Sequence, residues 1–341
     1  MPNKYLFYIS QNYSFEILRP LQEAIRVRGD ECAWFVEGSH VNQEYFHDNE
    51  VRLNTITDAI KYNPQAVFVP GNVVPNFIPG IKVQVFHGLE WKKKGHFRIR
   101  GYFDLYCTHG EITTSRFNQL ACQHGYFHVA ETGWPKLDPL FQVPPFELDT
   151  QLPVVLFAPT FSPNLTCAVA CFEEIKKLVD TGEYYWLVKF HPKMAPEWIE
   201  LYRSIKADNY QIVDTDSALP LLKRADILLS DTSSMIGEFL LLDKFAVTYK
   251  NADPGDYLID VQTPEALKDA LARARTAPAD LFKRIKANNQ RLHPYCDGQS
   301  SNRVLDAVNQ LCEKPAKLRK KKPLNLLRTI ELRKKLSYWK L

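Results

Sequence analysis

Short apolar runs alternate with helical segments along almost the whole chain, and this alternation is the feature that most constrains the fold. Lys4–Ile9 and Glu31–Val36 have the length of buried strands, and Phe15–Arg28 between them repeats its apolar residues at helical spacing. Strands that alternate with helices favour a parallel sheet covered by helices on both faces. The sequence therefore predicts an α/β protein.

The alternation stops once and then resumes, which predicts two domains. The segment Pro139–Pro153 holds four prolines and has little periodicity, as expected of a linker. We predict a first domain over residues 1–140, a linker over 141–153, a second domain over 154–313 and a basic tail over 314–341. Ligands of open α/β sheets bind beyond the carboxyl ends of the strands, so both domains are expected to present loops to a cleft.

Composition and motifs exclude several classes of protein. The hydrophobic content of 45% and the charged content of 24% are those of a soluble globular chain. A Walker A loop, a G-x-G-x-x-G turn and a G-x-S-x-G elbow are all absent from the sequence. The seven cysteines form no C-x-x-C pair and the nine histidines are dispersed. This predicts reduced thiols in a cytoplasmic protein and no metal site.

The positive charge is concentrated at the C-terminal end. Residues 314–341 contain eleven Lys or Arg and one acid, Glu331, whereas the net charge of the whole chain is +4, so residues 1–313 carry −6. On a helical wheel the tail is imperfectly amphipathic, with Leu326, Leu327 and Ile330 on one side and Leu332 on another. Basic residues beside Leu, Tyr and Trp fit an anionic membrane surface, so we predict peripheral binding to the inner face of the membrane through the tail. The alternative is a solvated tail; nucleic acid is not expected, because the body is acidic and has no nucleic-acid motif.

A helix start rich in hydroxyl groups follows one predicted strand. Ala225–Ser230 reads as the strand, and helical periodicity resumes at Met235. Side chains that accept hydrogen bonds at helix N-termini lie between them, and the positive end of a helix also suits a phosphate. The segment therefore predicts either a phosphate site or an ordinary cap. Its residues are Ser230, Asp231, Thr232, Ser233 and Ser234.

Polar residues also follow other predicted strands. His87 comes directly after an apolar run and precedes Gly88 and a group of lysines, and His191 follows another strand beside Lys189. A histidine at a strand end is a candidate general base or phosphate ligand. Thr160 lies in the turn after the first strand of the second domain. Each pattern, taken alone, is also typical of solvated loops.

Taken together and in order, these segments resemble the motifs of the CDP-glycerol glycerophosphotransferase family, whose members include wall teichoic acid primases and polymerases. Leu89 stands where the family usually has Thr, Lys189 replaces a frequent Arg, Glu238 replaces Asp and Phe245 replaces Pro. The matching segments, in chain order, are FHGLEWKKKG, GWPKLD, FAPTFSPN, KFHP, SDTSSMIGEFLLLDK and DGQSSNR.

The resemblance implies a GT-B-like arrangement of two Rossmann-like domains. It also implies transfer of a polyol phosphate, glycerol phosphate above all, from a CDP-activated donor to a hydroxyl of a lipid-linked or polysaccharide acceptor, with release of CMP. By the same resemblance His87 is the base and His191 contacts the donor phosphates. The implied donor-binding residues are Thr160, Lys189, Ser230, Asp231, Thr232, Ser233, Ser234, Glu238 and Arg303. The implied acceptor-binding residues are Gly88, Lys92 and Lys93.

Two other functions remain open from the sequence. A GT-B glycosyltransferase or related epimerase would hold a nucleotide sugar at the same helix start. A non-catalytic nucleotide-binding module of a capsule assembly complex is the second alternative. The sequence indicates no cofactor and leaves a requirement for Mg²⁺ open.

Overall fold

The computed structural model describes residues 2–89, 95–215, 217–314 and 318–339. The chain forms two compact units: unit 1 is Met1–Pro139 with Arg291–Leu341, and unit 2 is Leu140–Gln290. Each unit contains a sheet in which all paired strands are parallel, with helices between them in sequence. The α/β class predicted from the alternation is confirmed.

Unit 1 is built on a seven-stranded sheet of order β3-β2-β1-β4-β5-β6-β7. Its elements are β1 (Lys4–Ile9), α1 (Ser14–Val27), β2 (Glu31–Val36), β3 (Arg52–Leu53), α2 (Ile56–Tyr62), β4 (Ala66–Val69), β5 (Ile81–Gln84), β6 (Leu105–Thr108), α3 (Glu111–His124), β7 (His128–Glu131) and α4 (Asp138–Gln142), which runs into unit 2.

Unit 2 is built on a six-stranded sheet of order β10-β9-β8-β11-β12-β13. Its elements are β8 (Val154–Phe157), α5 (Phe172–Asp180), β9 (Tyr185–Val188), α6 (Pro196–Arg203), β10 (Tyr210–Ile212), α7 (Leu219–Arg224), β11 (Ile227–Ser230), α8 (Met235–Leu240), β12 (Phe245–Tyr249), β13 (Ile259–Val261), α9 (Leu267–Arg275) and α10 (Ala279–Leu292), whose last two residues belong to unit 1. The chain ends with α11 (Ser300–Glu313) and α12 (Leu326–Lys335), both in unit 1.

The central strands are buried on both faces, which is why their sequences read as continuous apolar runs. In β1 every residue except Lys4 is buried. Phe7 pairs with Trp34 of β2 and with Phe68 of β4, and the Phe7 and Trp34 rings meet edge to face at 4.7 Å. Burial of each such side chain contributes about 1.5–3 kcal/mol. This packing sets where the strands end and their loops begin.

The last fifty residues differ from the sequence prediction, which gave residues 154–313 to the second domain and 314–341 to a separate tail. The structure places Arg291–Leu341 in unit 1. The guanidinium of Arg28, the residue that follows α1, contacts Asn302 and Asp306 of α11. Leu332 of α12 is buried in the hydrophobic core of unit 1. Val304, Leu305 and Val308 of α11 are buried as well. Burial of apolar side chains of both helices thus contributes to the return of the chain.

Three histidines of unit 1, His96, His109 and His293, have strongly lowered pKa values. His293 accepts a hydrogen bond at Nε2 from the Trp134 backbone N–H at 2.9 Å. Burial lowers the pKa of His293 and the pKa of His96 to about 4. Burial, together with repulsion from His293 and His96, lowers the pKa of His109 well below its usual value. The folded state therefore holds all three rings in the neutral form.

These histidines predict acid sensitivity of unit 1. Their folded pKa values lie below the unfolded value of 6.5, so the unfolded chain binds more protons between about pH 6.5 and pH 4. We expect the free energy of unfolding to fall as the pH is lowered from 6.5 to 4, by up to about 1.4 kcal/mol per pH unit for each histidine. Urea denaturation followed by circular dichroism at a series of pH values measures this dependence.

The variant His109→Phe keeps a buried ring but removes one titrating group, so its stability is expected to depend less steeply on pH. His40→Ala, at an exposed histidine, serves as the control. Equal slopes for the wild type and His109→Phe would contradict the assignment.

Candidate functional site

The backbone turns sharply just before His87, after the end of β5. Phe86 has φ +59°, in the left-handed region that a bulky side chain rarely adopts. Its ring is held by His96, stacked at 5.2 Å, and by Phe117 at 5.2 Å. Strain of this kind persists only where the surroundings enforce it, and it clusters at functional positions. Here the buried Phe86 is followed directly by an exposed His87.

One backbone carbonyl determines which nitrogen of His87 carries hydrogen. Nδ1 lies 3.2 Å from the carbonyl oxygen of Pro70. A carbonyl oxygen can only accept, so Nδ1 donates, and the lone pair of the neutral ring is on Nε2. The Tyr13 ring lies beside the imidazole with 5.5 Å between centroids. In its neutral form the His87 ring thus presents the lone pair of Nε2 as an acceptor.

His87 lines a cavity of about 640 Å³ that lies within unit 1. Loops that follow three adjacent strands form one side of it: Ser10 and Gln11 follow β1, Asn72 follows β4, and His87 follows β5. A volume of this size is in the range of small-molecule sites. The cavity places the predicted base within reach of a bound molecule.

Unit 2 brings together residues that follow three other adjacent strands. Thr160 follows β8, His191 follows β9, and the hydroxyl-rich segment follows β11. The Phe161 ring stacks on the His191 ring at 4.3 Å. The Thr160 backbone N–H donates to the Asp231 carboxylate at 2.9 Å. The loop after β8 therefore links the other two strand ends directly.

His191 has the opposite tautomer to His87. The Lys193 backbone N–H donates to His191 Nδ1 at 3.0 Å, so the hydrogen of the neutral ring is on Nε2. Partial burial and the nearby charges of Lys193 and Lys189 lower the pKa of His191, which favours the neutral ring. An exposed, neutral His191 is therefore a hydrogen-bond donor at Nε2.

The hydroxyl-rich segment divides into an internal part and an outer part. Ser230 is buried and donates to the Ala158 carbonyl oxygen at 2.7 Å. The carboxylate of Asp231, also buried, accepts from the backbone N–H groups of Thr160, Cys167 and Thr232. Burial raises the pKa of Asp231, and these hydrogen bonds partly offset that effect.

Ser230 and Asp231, predicted as donor-binding residues, therefore position the loops instead. Thr232 and Ser233 are half-buried and Ser234 is exposed. The Thr232 hydroxyl accepts from the Ala252 backbone N–H at 3.0 Å. Helix α8 begins at Met235 and has six residues, so the outer part of the segment is a loop that precedes a short helix.

The other predicted donor-binding residues lie in different environments. Lys189 Nζ donates to the Thr215 carbonyl oxygen at 2.7 Å. Glu238 is buried on α8. Arg303 belongs to unit 1, where its guanidinium pairs with Asp297 and lies 3.9 Å from the Tyr295 ring centroid. The structure thus places Arg303 outside the domain to which the sequence prediction assigned it.

The predicted acceptor-binding residues are only partly described. Gly88 is half-buried next to His87, whereas Lys92 and Lys93 lie outside the described residues. In the part of the chain that the structure describes, no group of three or more His, Cys, Asp or Glu side chains is placed to hold a metal ion. Over the same residues, no helix has both the length and the apolarity needed to cross a membrane.

Two of the predicted motifs form an internal junction of unit 1 that sequence reasoning missed. The buried Asp138 carboxylate, in GWPKLD, accepts from the backbone N–H groups of Ser300 and Ser301 at 2.8 and 2.7 Å. It thereby caps the N-terminus of α11. Gly133 has φ +77°, and a Cβ there would lie 2.5 Å from Ser300 Oγ. An acid that caps a helix 162 residues later has no local sequence signal.

The family described as CDP-Glycerol:Poly(glycerophosphate) glycerophosphotransferase matches residues 102–310, more than half of the chain. The match includes Thr160, His191 and the hydroxyl-rich segment, and it begins after His87. A teichoic acid glycerol-phosphate primase from Bacillus subtilis is 28% identical over 170 residues, which are 46% of this chain and 44% of that protein. The chain spans less than half the length of the curated relatives it matches.

Solved structures show the same fold at low identity. A Listeria monocytogenes protein described as a UDP-N-acetylglucosamine 2-epimerase matches with a TM-score of 0.65 and 14% identity, over 93% of this chain and 98% of that chain. The wall teichoic acid polymerase TagF matches with a TM-score of 0.62 and 13% identity, over 93% and 91%. These likenesses confirm the predicted GT-B-like α/β fold with two parallel sheets.

The Asp138 junction predicts a large loss of stability on substitution. Asp138→Ala leaves two backbone N–H groups at the start of α11 without their carboxylate, so we expect the free energy of unfolding to fall by about 2–3 kcal/mol. Asp306→Ala is the matched control, because this exposed acid on the same helix pairs with Arg28 and is expected to contribute at most about 1 kcal/mol. Urea denaturation measures both values, and equal losses would contradict a capping role for Asp138.

Proposed function

Because the chain belongs to the CDP-glycerol:poly(glycerophosphate) glycerophosphotransferase family, we propose that it transfers a polyol phosphate from a CDP-activated donor to a hydroxyl of an acceptor and releases CMP. Glycerol phosphate is the proposed transferred group, as in the family description. The proposed acceptor is a lipid-linked or polysaccharide chain of the teichoic acid type, in keeping with the primase relative.

The observation that carries this proposal is the pair of opposite tautomers. His87 has its lone pair on Nε2 because Nδ1 faces a carbonyl oxygen, and His191 has its hydrogen on Nε2 because Nδ1 faces an N–H group. Transfer of a phosphoryl group needs a base for the attacking hydroxyl and donors for the phosphate oxygens. The two histidines supply one of each.

In the proposed reaction, His87 Nε2 takes the proton of the acceptor hydroxyl. The acceptor oxygen then forms a bond to the phosphorus that carries glycerol, and the bond from this phosphorus to the oxygen of CMP breaks. His191 Nε2–H donates to a phosphate oxygen and stabilises the charge that develops. The protonated His87 afterwards loses its proton to solvent.

The remaining donor contacts are proposed on the same basis. Thr232, Ser233 and Ser234 lie at the outer part of the hydroxyl-rich segment and are proposed to contact the pyrophosphate. Thr160 and Lys189 follow neighbouring strand ends and are proposed to act beside them. Glu238 is proposed to contact the ribose, and the role of Arg303 as a donor contact stays a prediction.

A nucleotide-sugar enzyme is the second candidate function, because the fold also resembles that of the epimerase described above. Incubation with CDP-glycerol, CDP-ribitol and UDP-sugars separates the two candidates. Thermal stabilisation and CMP release with a CDP-polyol support the proposed function, whereas stabilisation by UDP-sugars with release of UMP or UDP would replace it.

The two tautomers predict that substitution by Gln lowers activity to different extents at His87 and at His191. The amide nitrogen of Gln can donate a hydrogen bond as His Nε2–H does, but Gln is not a base. We therefore expect His191→Gln to retain about tenfold more CMP release than His191→Ala. His87→Gln and His87→Ala should both lose about 10²–10⁴-fold in turnover.

CMP release with saturating donor and acceptor measures this difference, with His40→Ala as the control at an exposed histidine. Circular dichroism verifies that each variant is folded. Wild-type turnover in His87→Ala would end the assignment of the base, and equal activities of His191→Gln and His191→Ala would end that of the donor.

We also propose that the protein binds the cytoplasmic face of an anionic membrane through its C-terminal segment. Leu326, Leu327 and Ile330 of α12 are 65%, 79% and 52% exposed, whereas Leu332 is buried in unit 1. Exposed apolar residues on a helix that carries four basic residues and one acid suit an interface of apolar chains and anionic headgroups. Each basic residue near such a surface contributes about 1 kcal/mol.

Sedimentation with vesicles that contain anionic lipid tests this proposal. The double variant Leu327→Ser/Ile330→Ser is expected to pellet less than the wild type, and neutral vesicles should reduce pelleting of both. Val27→Ser, at another exposed apolar residue of unit 1, is the control. Point substitutions are preferred because deletion of the segment would also remove Leu332 from the core. Equal pelleting of the double variant and the wild type would refute the proposal.

A further inference from the structure

The C-terminal helix forms one wall of the cavity that His87 lines. Arg328, Leu332 and Lys335 of α12 line it together with Arg98 and Arg100, which lie between β5 and β6. Glu331 lines it as well, and the spacing of these four α12 residues puts them on one side of the helix. The sequence prediction gave the tail no part in this site.

The lining of this cavity has an excess of positive charge. Arg98, Arg100, Arg328 and Lys335 face two carboxylates, those of Glu37 and Glu331. Glu37 is already engaged, since it accepts from the Tyr8 hydroxyl at 2.5 Å and pairs with Lys335. Among the residues that the structure describes, no carboxylate forms an ion pair with any of the three arginines.

Two of the three guanidinium groups, those of Arg328 and Arg100, contact backbone carbonyls rather than acids. Arg328 Nη1 donates to the Arg100 carbonyl oxygen at 2.7 Å, and Arg100 Nη1 donates to the Arg98 carbonyl oxygen at 3.3 Å. Burial and repulsion from Arg98 and Arg328 lower the pKa of Arg100. Each guanidinium has five N–H donors, so several on Arg98, Arg100 and Arg328 are left to bind an anion.

We propose that this cavity binds a phosphate ester of the acceptor, held by Arg98, Arg100 and Arg328. This inference rests on the proposed function, because it assigns the phosphate next to the hydroxyl that attacks. Planar guanidinium groups match the geometry of phosphate oxygens, and a cavity of about 640 Å³ accommodates a glycerol phosphate unit. A hydroxyl of that unit then lies near His87, which lines the same cavity. A poly(glycerophosphate) acceptor, as named in the family description, ends in such a unit.

Isothermal titration of the full chain with glycerol 3-phosphate tests this site. We expect glycerol 3-phosphate to bind, inorganic phosphate to bind more weakly, and glycerol without phosphate to give no measurable heat. Arg98→Ala and Arg328→Ala should each weaken binding of glycerol 3-phosphate by about 10- to 100-fold. Arg116→Ala is the matched control, because this exposed arginine on α3 contacts Gln119 and does not line the cavity.

Arg98→Ala is expected to fold normally, because the Arg98 side chain is solvent-exposed. Arg328→Ala carries a greater risk of misfolding, because Arg328 also anchors α12 to the Arg100 carbonyl. Titration of the same variants with CDP, and separate KM values for donor and acceptor, complete the design. In both arginine variants we expect the acceptor KM to rise, whereas the affinity for CDP and the donor KM stay unchanged. Unchanged binding of glycerol 3-phosphate in both Arg98→Ala and Arg328→Ala would overturn it.

The two proposals can fail separately. If the wild type releases CMP from CDP-glycerol but the arginine variants keep the wild-type acceptor KM, the cavity is not the acceptor site and the proposed function stands. If glycerol 3-phosphate binding depends on the arginines but no CDP-polyol is turned over, the phosphate site stands and the proposed function is wrong.

Discussion

Parallel pairing of neighbouring strands is the constraint on which both candidate sites depend. In unit 2, Leu156 of β8 pairs with Leu187 of β9 and with Leu228 of β11. Parallel strands in this register end at the same edge, so the loops that follow them emerge together. The side chains that follow β1, β4 and β5 in unit 1 are gathered in the same way. Burial of the apolar strands thus determines which polar residues become neighbours.

Backbone groups then give two chemically identical side chains opposite properties. One imidazole faces a carbonyl oxygen and the other faces an N–H group, and this alone decides which of them accepts at Nε2 and which donates. The left-handed turn at Phe86 belongs to the same arrangement, because it lets a buried ring be followed at once by an exposed histidine. Such differences are set by the fold and not by residue type.

The fold class and the order of strands and helices follow from the sequence because they depend on local periodicity. Strand ends are equally local, so Thr160, His191 and the segment after β11 could be placed at strand ends in advance. That these three strand ends are neighbours follows from the sheet order β9-β8-β11, which local periodicity does not determine. Burial is not local: Ser230 and Asp231 look like ligands in the sequence, but they hold neighbouring loops in place. The return of the chain into unit 1 escaped prediction because its cause, the contacts of Asp138 and Leu332, joins residues that are far apart in sequence.

The imperfect amphipathicity of the C-terminal helix follows from its two environments. Arg328, Leu332 and Lys335 recur at helical spacing and face the protein, where two of the three line the cavity with charge. Leu327 and Ile330 lie outside that row and are exposed. A surface helix with only a core to cover would carry its apolar residues inward and its charges outward. Here the charges face a polar cavity and apolar residues lie on the outer side of the helix. Packing within the unit does not require these exposed apolar residues, which are therefore an excess of apolar surface. The proposed binding to an anionic membrane surface would account for that excess, and the same helix would then join the membrane to the wall of the proposed acceptor site.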